Sequence, residues 1–173
     1  MLHFLPRPLV GTLSLVLYFL NTLFWFIPIM LLAVLKLAPV TRWQSWLTYL
    51  LDACAVAWIS VNNFTSRLFT RIRWQVSGLE QLSRKDWYLL LANHQSWADI
   101  LVLQKIFNRK IPFIKFFLKK ELIYVPLLGL CWWALDFPFM KRYSKAFLQR
   151  NPQLQGKDIE TTRKACRKFR FKP

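Results

Sequence analysis

The chain is poor in the residues that build several common sites. It has 4 glycines in 173 residues, none set in a Gly-rich phosphate loop, which removes the usual nucleotide-cradling turn. It has 2 histidines, His3 and His94, too few for a histidine-based metal centre when zinc takes three or four protein ligands. Its 3 cysteines, Cys54, Cys131 and Cys166, are odd in number and far apart. They read as buried thiols in a reducing compartment, forming neither a disulfide framework nor a metal site. No metal and no cofactor is expected. Acidic residues are scarce too: 8 Asp and Glu stand against 25 Lys and Arg, a net charge of +17.

What is present is apolar and basic. At 55% hydrophobic residues the chain is greasier than an average soluble domain, and a membrane protein is the first expectation. Residues 1–62 carry only three basic side chains, Arg7, Lys36 and Arg42, and one acid, Asp52, leaving 22 Lys/Arg and 7 Asp/Glu for residues 63–173. The first third is thus an apolar anchor and the rest a basic body. Such a body favours the anionic face of a bilayer, where each Lys or Arg contributes about 1 kcal/mol. Nucleic acid is not an expected partner, because neither zinc-finger spacing nor an aromatic RNA-binding signature occurs.

Residues 1–62 divide in two. From about 9 to 37 the only charge is Lys36, and about 20 apolar residues cross a hydrocarbon core. Pro28 is expected to kink this helix or split it into two arms, so a transmembrane and a re-entrant course are both open. From about 42 to 61, after a possible cap at Thr41, the spacing of Trp43, Trp46, Leu47, Leu50, Cys54, Ala57 and Trp58 predicts an amphipathic helix at the membrane interface. Strands are expected at Trp74–Val76, Trp87–Ala92, Ile111–Ile114 and Asp136–Met140. Helices are expected at Ala98–Phe107, Phe116–Leu122, Leu127–Leu135 and from Asp158 to about Phe169. This alternation predicts an α/β fold with a partly parallel sheet.

The segment Asn93-His94-Gln95-Ser96-Trp97-Ala98-Asp99 carries the chemistry. In a continuous helix, His94 and Asp99 would lie about 140° apart around the axis, so they meet only if the histidine precedes the helix. Ser96 as N-cap with Asp99 three residues later gives that arrangement. Asp99 can then bond one ring nitrogen and leave the other facing outward to remove a proton from a hydroxyl.

These residues carry a family resemblance. Asn93-His94 with Asp99 resembles the first signature block of the glycerolipid acyltransferases, the lysophosphatidic acid acyltransferase family. Lys119-Lys120-Glu121-Leu122, Val125-Pro126-Leu127-Leu128-Gly129 and Phe139-Met140-Lys141-Arg142 resemble the family's next stretch, including its second block and that block's basic end. The version with Ser96-Trp97-Ala98-Asp99 is most similar to the membrane-anchored bacterial branch related to the lysocardiolipin acyltransferases. The resemblance implies membrane helices over 1–62, then the N-terminal part of an acyltransferase domain over 63–173, in a bacterial inner membrane with the domain facing the cytoplasm. It implies that His94, held by Asp99, deprotonates a lysophospholipid hydroxyl that attacks the thioester of acyl-CoA or acyl-carrier protein. It makes Arg142, Lys141 and Lys119 candidates for the acceptor phosphate, with Asn93 and Ser96 positioning the segment.

The family's third block, a strand followed by Glu-Gly-Thr-Arg or a close variant, does not occur in residues 1–173. The α/β domain is therefore expected to be incomplete, with insertion in membranes but little or no acyl transfer. Two other classes compete: a non-catalytic basic membrane protein that holds anionic lipid or a partner chain, and a basic nucleic-acid binder.

Overall fold

The computed structural model of the chain describes residues 6–70, 72–93, 95–141, 143 and 145–170. His94, Arg142 and Arg71 lie outside them. Two long helices come first, α1 (Arg7–Leu35) and α2 (Thr41–Phe69), folded against each other as an antiparallel hairpin. α1 runs unbroken through Pro28, so of the kink and the division expected there the division does not occur. A membrane-type helix tolerates proline where neighbours re-satisfy the freed carbonyl. α2 opens after Val40 without a side-chain cap and continues to Phe69, past the expected end near residue 61.

The buried seam of α2 is Leu47, Leu51, Ala55, Ile59, Asn62, Thr65 and Phe69, and it shares only Leu47 with the stripe expected from hydropathy. Trp43 and Trp46, the tryptophans assigned to the membrane interface, are exposed. Close approach of two helices selects small and hydrogen-bonding residues, which an apolar count passes over. Asn21 of α1 donates to the Asn62 side-chain oxygen at 2.8 Å and to the Trp58 carbonyl at 3.0 Å. The Trp58 indole donates to Thr22 at 3.1 Å. Asn21→Leu should therefore strand the buried Asn62 oxygen and cost about 1–2 kcal/mol. Thermal unfolding in detergent checks this, and Asn21→Leu with Asn62→Leu should cost less than the two single changes added.

The body adds α3 (Trp97–Phe107), β1 (Leu118–Lys119), a 3-10 turn at Lys120–Tyr124, α4 (Leu128–Ala134), β2 (Phe139–Met140), α5 (Lys145–Arg150), a second 3-10 turn at Pro152–Leu154 and α6 (Lys157–Arg170). β1 and β2 pair in parallel, Leu118 beside Phe139 and Lys119 beside Met140. The core joins this sheet and α4 to the hairpin: Ile29 and Ala33 of α1, Leu51 and Ala55 of α2, Leu118, Cys131 and Phe137 pack together. Burial pushes the Cys131 thiol up to about 11, as befits an inert core cysteine. Cys166, expected to be buried, is exposed on α6. Two ion pairs tie hairpin to body, Lys36 with Asp136 and Asp52 with Lys115, the latter at 3.1 Å.

The fold is mostly helical, with a parallel two-stranded sheet among the described residues, where a larger α/β layer was expected. Trp74–Val76 and Ile111–Ile114 form no strand. Trp87–Ala92 is not a buried strand either: it has no ladder partner among the described residues, and Trp87, Leu89 and Leu91 are 60%, 74% and 89% exposed. A strand needs a neighbour to take its amides and carbonyls, and alternating hydropathy alone supplies none. The helix expected over Phe116–Leu122 is instead β1 followed by the 3-10 turn.

Candidate active site

The start of α3 is built by its own side chains. Ser96 is the N-cap in extended geometry, and its hydroxyl accepts from the Ala98 amide at 3.1 Å. Asp99, at the third helical position, folds back so that one carboxylate oxygen accepts from both the Gln95 and Ser96 amides at 2.7 Å. This is a capping box. It places a carboxylate on the backbone that leads directly from residue 94, before the helix begins. Asn93 is exposed in the same loop.

A cleft of about 2530 Å³ lies between the hairpin and the body and passes this helix start at Ala92, Trp97, Ile100 and Leu101. Phe113, Phe116 and Trp132 give it apolar walls, and Asp52, Lys115, Lys36 and Asp136 place the two ion pairs along it. Trp132 and Trp133 of α4 line the cleft while Cys131 and Ala134 are buried, so α4 is both wall and core. Residues 84–90 border the cleft without pairing into a sheet, which leaves it broad.

The parallel register sets the backbones of two of the expected phosphate residues close to each other. Lys119 ends β1 beside Met140, and Lys141 directly follows Met140, at the carboxyl ends of parallel strands where α/β folds place ligands. Both lysines are exposed. Lys119 also lines the cleft, and the Lys141 ammonium sits 5.3 Å from the Tyr143 ring centroid. Of the site residues expected in the histidine segment, Asn93, Ser96 and Asp99 are described and lie in the loop and first turn that begin α3, while the lysines lie at the sheet. Sequence reasoning missed Asp52, Lys115, Lys36 and Asp136 as cleft residues. Each pairs across more than one element, and no local pattern signals such a partner. Among the described residues, no group of three or more His, Cys, Asp or Glu could hold a metal ion.

Comparison with known proteins places this geometry in a family. The acyltransferase family model matches residues 73–168, more than half of the chain and the stretch that holds the capping box, both strands and α4. The 1-acyl-sn-glycerol-3-phosphate acyltransferase of Saccharomyces cerevisiae is 35% identical over 103 residues, which cover 58% of this chain and 30% of that protein. The chain thus spans about a third of the length of this relative. No solved structure matches. The chain belongs to the acyltransferase family.

Proposed function

We propose that these residues form part of a membrane-associated enzyme that transfers an acyl group from a thioester donor, acyl-CoA or acyl-carrier protein, to the free hydroxyl of a lysophospholipid such as lysophosphatidate. The observation that carries this reading is the Asp99 carboxylate folded onto the backbone beside residue 94, at the edge of an apolar cleft. His94 takes the proton of the acceptor hydroxyl. The oxygen attacks the thioester carbonyl, a C–O bond forms as the C–S bond breaks, and the proton passes from the imidazole to the departing thiolate. General-base assistance of this kind is worth about 10²–10⁴-fold. Lys119 and Lys141, with Arg142 next in the chain, supply positive charge for the acceptor phosphate.

The hairpin supports membrane association along one leaflet better than a perpendicular crossing. α1 is long and apolar enough to cross a membrane, and Leu15, Phe24, Leu31 and Val34 project apolar surface outward. The body, however, meets α2 from Asp52, paired with Lys115, to Ser60 and Ser66, bonded to Asn108 and Lys105. That contact covers about 21 Å of helix axis, most of a hydrocarbon core about 30 Å thick. A crossing hairpin would draw these polar side chains and the basic body into the core with it. Lying in one leaflet, α1 turns its apolar face to lipid while the body stays at the surface.

The test reads substrate binding as well as turnover. In detergent-solubilised chain, lysophosphatidate should slow carbethoxylation of His94, followed by peptide mass spectrometry with His3 as reference. Transfer from acyl-CoA to lysophosphatidate in membranes carrying the chain should be slow, because the segment leading into residue 94 is not anchored in a sheet. His94→Ala should abolish what transfer there is. Absence of both protection and His94-dependent transfer would overturn the reading in favour of a non-catalytic basic membrane protein.

A further inference from the structure

At the far end of α3 from the capping box, two cations from different helices converge. Lys105 of α3 reaches α2, where its ammonium donates to the Ser66 hydroxyl at 3.3 Å and lies 4.7 Å from the Trp74 ring centroid. Arg67, the next residue of α2, is exposed, and its charge acts on Lys105. Neither cation has a carboxylate partner among the described residues. Hydroxyl and indole orient an ammonium without neutralising it. Each cation stands in the last turn of its helix, where the helix dipole offsets about half a charge. About one unit of positive charge therefore remains uncompensated at the junction. Loss of water and the neighbouring guanidinium together hold the Lys105 ammonium below the usual lysine range, as expected of a site short of an anion.

We propose that Arg67 and Lys105, with Ser66 and Trp74 around them, bind the monoanionic phosphodiester headgroup of an anionic phospholipid that is not a substrate. A single uncompensated charge suits a phosphodiester better than a dianionic phosphate. The hairpin points to lipid as the source: Tyr18 of α1 lies close to Ser66, and Leu15 and Phe19, within a turn of Tyr18, are 72% and 57% exposed and available to acyl chains. The site lies about 14 Å along α3 from Ser96, so it is separate from the acceptor site. Its occupancy would fix how the hairpin sits in an anionic leaflet whether or not the cleft performs acyl transfer.

Acetylation of the detergent-solubilised chain by an N-hydroxysuccinimide ester, read lysine by lysine with exposed Lys120 as reference, tests this. Short-chain phosphatidylglycerol should slow labelling of Lys105 about threefold, the effect of a half-unit rise in its pKa, and leave Lys120 unchanged. Short-chain phosphatidylcholine and inorganic phosphate should have no such effect. Arg67→Gln should remove the protection and Arg67→Lys should keep it, with helical circular dichroism unchanged in both. Equal protection by phosphatidylcholine or by inorganic phosphate would overturn the proposal. Protection that persists in Arg67→Gln would overturn it as well.

Discussion

Replacing Gly129 by alanine is expected to cost about 3 kcal/mol, the upper end of overpacking penalties. The first turn of α4 rests on the 3-10 turn that precedes it, and a Cβ at position 129 would stand 2.0 Å from the Ile123 carbonyl oxygen, 2.6 Å from its carbon and 3.0 Å from the Leu122 oxygen. All three atoms are backbone, so no side-chain rotation relieves the overlap. The amide of Gly129 is also bound to the Val125 carbonyl at 2.8 Å, which holds the two turns together. Displacing α4 would carry Cys131, Ala134 and Leu135 out of the core they share with Ile29 and Ala33, so the damage should spread to the hairpin. Gly11→Ala is the contrast. It sits in α1 with nothing within 4 Å of its Cβ position, and alanine there should stabilise by about 0.5–1 kcal/mol through helix propensity. Thermal unfolding in detergent should show the two alanine substitutions moving the midpoint in opposite directions.

How much of this was legible in the sequence depends on whether a feature is local. The start of α3 was, because Ser96 and Asp99 satisfy amides within a few residues and the pattern needs no partner from elsewhere. The long α1 was legible from its unbroken apolar run, and α4 and α6 from apolar and charged stretches of helical length. The family resemblance was carried by short blocks of this kind, and the match over residues 73–168 bears it out. Features that depend on distant neighbours were not legible. Trp87–Ala92 has the composition of a buried strand, yet burial comes from a ladder and a covering layer, and among the described residues neither adjoins it. The α2 seam leaves Trp43 and Trp46 outside because Asn21 and Thr22 of α1 draw Asn62 and Trp58 toward them. The Asp52–Lys115 and Lys36–Asp136 pairs join residues far apart in sequence, and scarce acids in a basic chain look the same whether they are paired or solvated.

Asp99→Asn is expected to bring acyl transfer down to the background of His94→Ala, a loss of about 10²–10⁴-fold where the base is fully assisted, with little loss of stability. The side-chain oxygen of asparagine can still accept from the Gln95 and Ser96 amides, the bonds that Asp99 accepts at 2.7 Å, so the helix start survives. What asparagine cannot supply is a negative charge to set the tautomer of the neighbouring imidazole and to stabilise the imidazolium formed when the hydroxyl loses its proton. Ser96→Ala separates the two roles from the other side. It removes the hydroxyl that accepts from Ala98 and should cost about 1 kcal/mol of stability, while transfer falls only a fewfold. Lysophosphatidate should still protect His94 from carbethoxylation in Asp99→Asn, since the proposal gives the acceptor phosphate to Lys119, Lys141 and Arg142 and not to this carboxylate. A capping role alone predicts the reverse pattern, with Asp99→Asn near the parent in both stability and transfer. The two substitutions measured together therefore decide whether the carboxylate merely starts a helix or also orients the base.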